Sequence, residues 1–179
     1  MALFRETADV SVRPATPGDE VDVTRIQLVA WRTDHGDLLG SETLDALDEE
    51  AVRQQWERAI AAPPSPAHRV LVACAGPRVV GFVASAPDDD AVQLLALEVD
   101  PDHRRGGHGS RLLAACVDLA RERGATRLVT WVLEGDEPRG RFLGGAGLGP
   151  DGARRELASG PDPDGGTRTV AEARWEAEI

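Results

Sequence analysis

The segment VDPDHRRGGHGS, residues 99–110, constrains the fold of this chain more than any other part of it. It follows an apolar run typical of a strand and precedes apolar residues at helical spacing, so it predicts a strand–loop–helix unit. Three glycines within four positions leave the backbone uncovered, and several N–H groups can then point toward one place. With the unpaired N–H groups at the start of the helix, they suit an anion such as a pyrophosphate.

Two better-known phosphate motifs fit this segment less well. A P-loop requires Gly-Lys followed by Ser or Thr, which does not occur in the sequence. The dinucleotide fingerprint requires a third small residue at the position where Leu112 stands. The residues alone leave open a purely structural turn and a nucleotide-phosphate site.

The remaining pattern predicts an α+β fold with a mixed, mostly antiparallel sheet of about seven strands flanked by about four helices. Strands are expected around Val10 and Val12 and at residues 69–75, 78–86, 91–99, 127–133, 153–158 and 168–178. Helices are expected on the stripe Ile26, Val29 and Ala30 and at residues 41–60, 107–123 and 136–146, with a turn at residues 160–166. No linker divides the chain, so we expect a single domain over residues 1–179.

Composition argues against nucleic-acid binding, a zinc site and a membrane-spanning segment. Acidic residues outnumber basic ones by 31 to 20, giving a net charge of -11, which argues against nucleic-acid binding. An acidic surface is compatible with a cationic or amine partner. Cys74 and Cys116 each lie in an apolar run without the spacing of a zinc site, so we expect both to be buried and reduced and no metal to be bound. The first ten residues lack a signal segment and no apolar run approaches ~18 residues, which predicts a cytoplasmic protein without membrane contact.

Val99, Pro101, Arg104, Gly107 and Gly109 form a pattern that resembles the acetyl-CoA signature of the GNAT superfamily of N-acetyltransferases. The predicted order of elements over most of the chain is similar to that of the family's fold. The stretches 131–136, 141–143 and 146–148 resemble its second conserved block, and residues 30–32 with 36–39 resemble the helix junction over its acceptor pocket.

The resemblance implies acetyl-CoA as cosubstrate and an amine as acceptor. Backbone groups of Leu97 and Val99 are expected on the pantetheine arm, between diverging strands that admit the thioester. The pyrophosphate and the rest of the cofactor are expected on Arg104, Arg105, Gly106, Gly107, His108, Gly109, Ser110, Asp136 and Phe142. Trp31 and His35 are expected to line the acceptor pocket, and the family also permits a homodimer through the final strands.

The sequence departs from the family's pattern at the positions that move protons. Leu143 occupies the place of a tyrosine that often protonates the leaving thiolate, and the chain has no tyrosine at all. Gln93 stands where an acidic residue is common. Glu98, on the strand next to the expected thioester, is therefore our first candidate for the general base, and Glu134, at the end of the next strand, is our second. The alternative function is a catalytically weak acyl-CoA-binding sensor or regulatory module.

Overall fold

A computed structural model describes residues 10–161 and 166–179 of the chain. Its strands are β1 Val10–Pro14, β2 Arg69–Ala75, β3 Arg78–Asp88, β4 Ala91–Val99, β5 Arg127–Leu133, β6 Gly149–Pro161 and β7 Thr167–Glu178. Its α-helices are α1 Glu20–Leu39, α2 Ser41–Asp45, α3 Glu49–Ala61, α4 His108–Arg121 and α5 Glu137–Gly145. Two stretches lie outside the described residues, 1–9 and 162–165. The first includes most of the segment predicted to lack a signal sequence, and the second is part of the predicted turn.

The strands form one sheet in the order β1-β2-β3-β4-β5-β7-β6. Every neighbouring pair is antiparallel except β4 and β5, which run parallel because α4 crosses from the end of one to the start of the other. The predicted mixed, mostly antiparallel sheet of seven strands is confirmed.

The parallel pair separates halfway along its length. Its register runs only from Ala91 opposite Arg127 to Leu94 opposite Thr130, although both strands continue beyond that point. The register of β4 on its other neighbour, β3, shifts at the same place, which leaves Leu95 as an extra residue in a bulge. A wedge therefore opens between the carboxyl ends of β4 and β5, as predicted.

Helices cover both faces of the sheet. On one face, Val23 and Ile26 of α1 pack against Phe82, whose ring meets that of Trp56 edge-on at 5.0 Å between centroids. On the other face, α4 buries its apolar stripe against alternate residues of β2 to β5, and this stripe includes Cys116. Both cysteines are buried free thiols, as expected.

Two predictions about the first helices were wrong. Residues 41–60 form two helices, because the Asp48 carboxylate accepts hydrogen bonds from the N–H groups of Glu50 and Ala51 and so starts α3. The described chain consequently has five α-helices, which agrees with the predicted number of about four. Val29, predicted on the buried stripe of α1, is 39% exposed. No helix in the described residues is both long and apolar enough to cross a bilayer.

Candidate active site

The loop between β4 and α4 turns sharply into the helix. The Asp100 carboxylate accepts a hydrogen bond from the Asp102 N–H at 3.1 Å and a salt bridge from Arg25 at 2.7 Å, which fixes the end of the strand. Arg105 and Gly107 then adopt left-handed backbone conformations with φ of 64° and 76°. Gly107 precedes α4 without a side-chain cap, so the first N–H groups of that helix remain free to bind an anion.

A cavity of about 480 Å³, the loop cavity, opens onto this loop. Most of the predicted cofactor residues line it, namely Leu97, Val99, Arg104, Arg105, Gly107, His108, Gly109, Ser110, Asp136 and Phe142. Gly106 is not among the lining residues. A side chain at Gly106 would come within 3.0 Å of the His108 ring, so the loop packs closely there.

Salt bridges and hydrogen bonds already engage two of the arginines around the loop cavity. Arg104 forms a two-pronged salt bridge with Asp34 of α1, and the hydrogen bonds to that carboxylate raise the pKa of Arg104. Arg111 donates a hydrogen bond to the Gly106 carbonyl at 2.8 Å and so braces the loop from within. The backbone N–H groups and Arg105 are therefore the groups most available to an anion.

His108 is buried at the start of α4. Burial lowers its pKa, and the positive charges of Arg111 and His103 lower it further. Its Nδ1 atom is buried and has no hydrogen-bond partner among the described residues. Burial beside Arg111 and His103 therefore favours the neutral form of the His108 imidazole.

A second cavity of about 320 Å³, the splay cavity, occupies the wedge between β4 and β5. Trp31 and His35, predicted for the acceptor pocket, both line it. The splay cavity and the loop cavity share four lining residues, Leu97, Glu98, Asp136 and Arg139. These residues therefore mark the place where the two cavities meet.

A histidine–aspartate pair lies at this junction. His35 Nε2 and Asp136 Oδ2 are 2.9 Å apart, and each side chain is only 8% exposed. Burial raises the pKa of Asp136, but hydrogen bonds from His35 and from the Arg139 N–H outweigh it and leave the pKa below its usual value. An ionised carboxylate only accepts hydrogen bonds, so Nε2 carries the bridging hydrogen and Nδ1 is the basic nitrogen of the neutral ring.

Arg139 joins α5 to β4 across the wedge. Its guanidinium donates hydrogen bonds to the Leu97 carbonyl and to the Glu98 carboxylate, the latter at 2.8 Å. Glu98 is buried, so this pairing satisfies a carboxylate that would otherwise be costly to bury. Arg139 was not among the residues predicted for the site, although its position three residues after Asp136 places it in the first turn of α5 beside the same site.

The structure places the other predicted proton-transfer position, Glu134, away from this junction. Its side chain is 37% exposed, pairs with Arg154, and lines neither cavity, which does not favour the predicted role as a base. Leu143 is buried in the wall of the splay cavity. Within residues 10–161 and 166–179, no three His, Cys, Asp or Glu side chains lie close enough together to hold a metal ion.

Comparisons with known proteins agree with the family resemblance. Residues 25–147 match the Acetyltransferase (GNAT) family. A mycothiol acetyltransferase of Stackebrandtia nassauensis is 31% identical over 103 residues, which are 58% of this chain and 33% of that protein. The match thus spans only about a third of the length of this curated relative.

Solved structures with this fold include a PaiA N-acetyltransferase from Thermoplasma acidophilum in complex with coenzyme A. It superposes with a TM-score of 0.78 at 14% identity over 95% of this chain and 99% of its own. A ribosomal-protein-alanine N-acetyltransferase from Brucella melitensis gives a TM-score of 0.69 at 23% identity, covering 94% and 99% of the two chains. At these identities the likeness shows the fold, and it confirms the fold predicted from the sequence.

Proposed function

Since the chain belongs to the acetyltransferase (GNAT) family, we propose that it transfers an acetyl group from acetyl-CoA to a primary amine of a small molecule, protein or peptide. The observation that carries the proposal is the junction of the two cavities at Leu97, Glu98, Asp136 and Arg139. A long donor entering from the loop cavity and an acceptor in the splay cavity would meet there. Holding two reactants in contact is itself a large part of catalysis.

The loop cavity suits the donor. Free N–H groups of residues 105–110 and the positive end of the α4 dipole would hold the pyrophosphate. The ring of Phe142, which lies 3.5 Å from where a side chain at Gly109 would be, would form part of the wall beside the loop. The backbone of Leu97 and Val99 would pair with the pantetheine arm. The Leu97 carbonyl now accepts a hydrogen bond from Arg139, so this guanidinium would yield that acceptor to the incoming amide.

The reaction forms a bond from the amine nitrogen to the thioester carbonyl carbon and breaks the carbon–sulfur bond. The nitrogen loses a proton and the departing sulfur gains one. Of the two predicted bases, only Glu98 is at the junction, where its carboxylate is already paired with Arg139. Acting as a base would require Glu98 to give up that pairing.

We therefore place His35 ahead of Glu98 as the proton acceptor. Histidine is the residue type that titrates closest to neutral pH, and a base works best when its pKa is near the working pH. Asp136 holds the ring through Nε2, which leaves Nδ1 to take the proton and a carboxylate to stabilise the resulting imidazolium. No described residue donates a hydrogen bond to Nδ1.

Departure of the thiolate needs no tyrosine on this account. Leu143 fills that position, but a thiol has a pKa of about 8.5, so a thiolate leaves readily near neutral pH and can take a proton from water.

Release of free thiol from acetyl-CoA, measured with a panel of primary amines, tests this function. Amine-dependent release supports it. Stabilisation by acetyl-CoA without any release, about 2.7 kcal/mol at 100 times the dissociation constant, would instead support the acyl-CoA-binding sensor. Stabilisation by ATP but not by acetyl-CoA would contradict both.

A further inference from the structure

We propose that the acceptor is a small primary amine with an apolar body, such as an alkylamine or arylalkylamine, rather than a polyamine or a peptide terminus. This inference rests on the proposed function, because it takes the splay cavity as the acceptor site. The wall of that cavity away from the junction is mostly apolar. It includes Leu39, Leu44, Leu47, Leu133, Leu157 and Val170, which come from α1, α2, the segment after α2, β5, β6 and β7.

Apolar side chains also lie exposed at this cavity. Leu95, in the bulge of β4, is 57% exposed, and Leu157 is 40% exposed, yet both line the splay cavity. Large aliphatic side chains in water beside a cavity favour an apolar ligand, which would remove their surface from solvent. A third cavity, of about 350 Å³, shares Trp31, Leu95, Ala96 and Glu98 with the splay cavity and is also lined by Trp56.

The charged groups of the splay cavity are already satisfied. Its carboxylates are Glu98, Asp136 and Glu172, and they are hydrogen-bonded to Arg139 at 2.8 Å, His35 at 2.9 Å and Arg155 at 2.6 Å, respectively. Two of the three lie at the junction, where the reacting nitrogen must be. Away from the junction, the described wall offers a second ammonium group on the acceptor only one carboxylate, Glu172, which is already paired with Arg155, and this disfavours polyamines.

Direct packing closes the gap between α2 and the β6–β7 hairpin at one side of the cavity. A side chain added at Gly160 of β6 would come within 2.6 Å of Thr43 Oγ1 on α2, so strand backbone and helix side chain are in contact there. The guanidinium of Arg168 of β7 also lies against Gly40, the residue before α2. Because α2 and the β6–β7 hairpin touch, an extended chain has no groove between them.

The test compares kcat/KM for propylamine, butylamine, pentylamine and hexylamine with that for spermidine and for a peptide with a free N-terminal alanine. We expect about a fourfold rise for each methylene that becomes buried. Leu157→Gln should flatten the series by raising the KM for hexylamine while leaving the KM for acetyl-CoA unchanged. Val21→Gln, at a 57% exposed position on α1 outside the cavities, is the matched control and should leave the series intact.

A flat alkylamine series, or a higher kcat/KM for spermidine or the peptide than for hexylamine, would overturn the inference and leave the proposed function standing. If no amine is acetylated, the proposed function fails, and binding then decides the inference. With coenzyme A present, a thermal shift larger for hexylamine than for propylamine would support the apolar acceptor site, and equal shifts would overturn it.

Discussion

Replacing His35 by glutamine tests the assignment of the proton acceptor. A glutamine amide can still donate a hydrogen bond to Asp136, so the buried carboxylate keeps its partner, but it cannot take up a proton. General bases typically contribute ~10²–10⁴-fold, and we expect a loss of kcat/KM of that size. The free energy of unfolding should change by less than about 1 kcal/mol because the hydrogen bond is retained.

Alanine at the same position separates catalysis from stability. His35→Ala leaves the buried Asp136 carboxylate without its partner, and hydrogen bonds to charged groups contribute about 1.5–3 kcal/mol. We expect this variant to lose that much stability in addition to its activity. The two substitutions should therefore be similarly inactive but melt at clearly different temperatures.

The assay is initial-rate thiol release as a function of pH, with circular dichroism to verify folding. Protonation of the amine lowers kcat/KM on acidification in every variant, so wild-type kcat/KM should fall more steeply than that of His35→Gln if His35 is the base. If His35 and Asp136 act as one unit, the double variant His35→Gln/Asp136→Asn should be no slower than the slower single variant. Two results together would contradict the assignment of His35 as the base: activity of His35→Gln within about threefold of wild type, and a large loss of activity in Glu98→Gln. Glu98 would then be the base.

Three further predictions concern the loop cavity. Gly107→Glu should abolish acetyl-CoA binding as measured by calorimetry. Gly124→Glu, at a glycine with a similar positive φ but open surroundings, is the control and should still bind acetyl-CoA. Equal loss of binding in both variants would point to backbone strain instead. Asp34→Asn should tighten acetyl-CoA binding a few-fold by freeing Arg104, and weaker binding would contradict this. Burial lowers the pKa of His108 in the folded state, so the unfolded state binds more protons in the pH range between the two pKa values. The free energy of unfolding is therefore highest above the unfolded-state pKa of about 6.5 and decreases as the pH falls toward the folded-state pKa. In His108→Gln, the free energy of unfolding from denaturant melts should decrease less between pH 7 and pH 5 than in wild type. An equal decrease in both proteins would contradict this role of His108.

Strands bounded by strong turn signals could be predicted closely. The bounds of β4 and β5 match the expected 91–99 and 127–133, because Pro101 and Gly124 interrupt the chain near their ends. The first helices could not be divided correctly, since apolar residues keep helical spacing through the break at residues 46–48. The cap formed by the Asp48 carboxylate marks the start of α3, and whether Asp48 acts as a cap depends on the conformation of its side chain.

The candidate site divides in the same way. The glycine loop could be identified from sequence because its glycines, arginines and helix start are neighbours in the chain. The pairs Arg104–Asp34 and His35–Asp136 could not, because their members are 70 and 101 residues apart. Their contact depends on how α1 packs beside the carboxyl ends of β4 and β5, and no local sequence pattern predicts that packing. Asp136 was expected on the cofactor, and its hydrogen bond to His35 adds a contact with the acceptor side.

A crystal structure with bound coenzyme A would show whether the loop cavity holds the acetyl donor. We expect pyrophosphate oxygens within about 2.7–3.2 Å of backbone nitrogens of residues 105–110, and the thiol end at the junction of Leu97, Glu98 and Asp136. A pyrophosphate bound elsewhere, with the loop cavity empty, would contradict it.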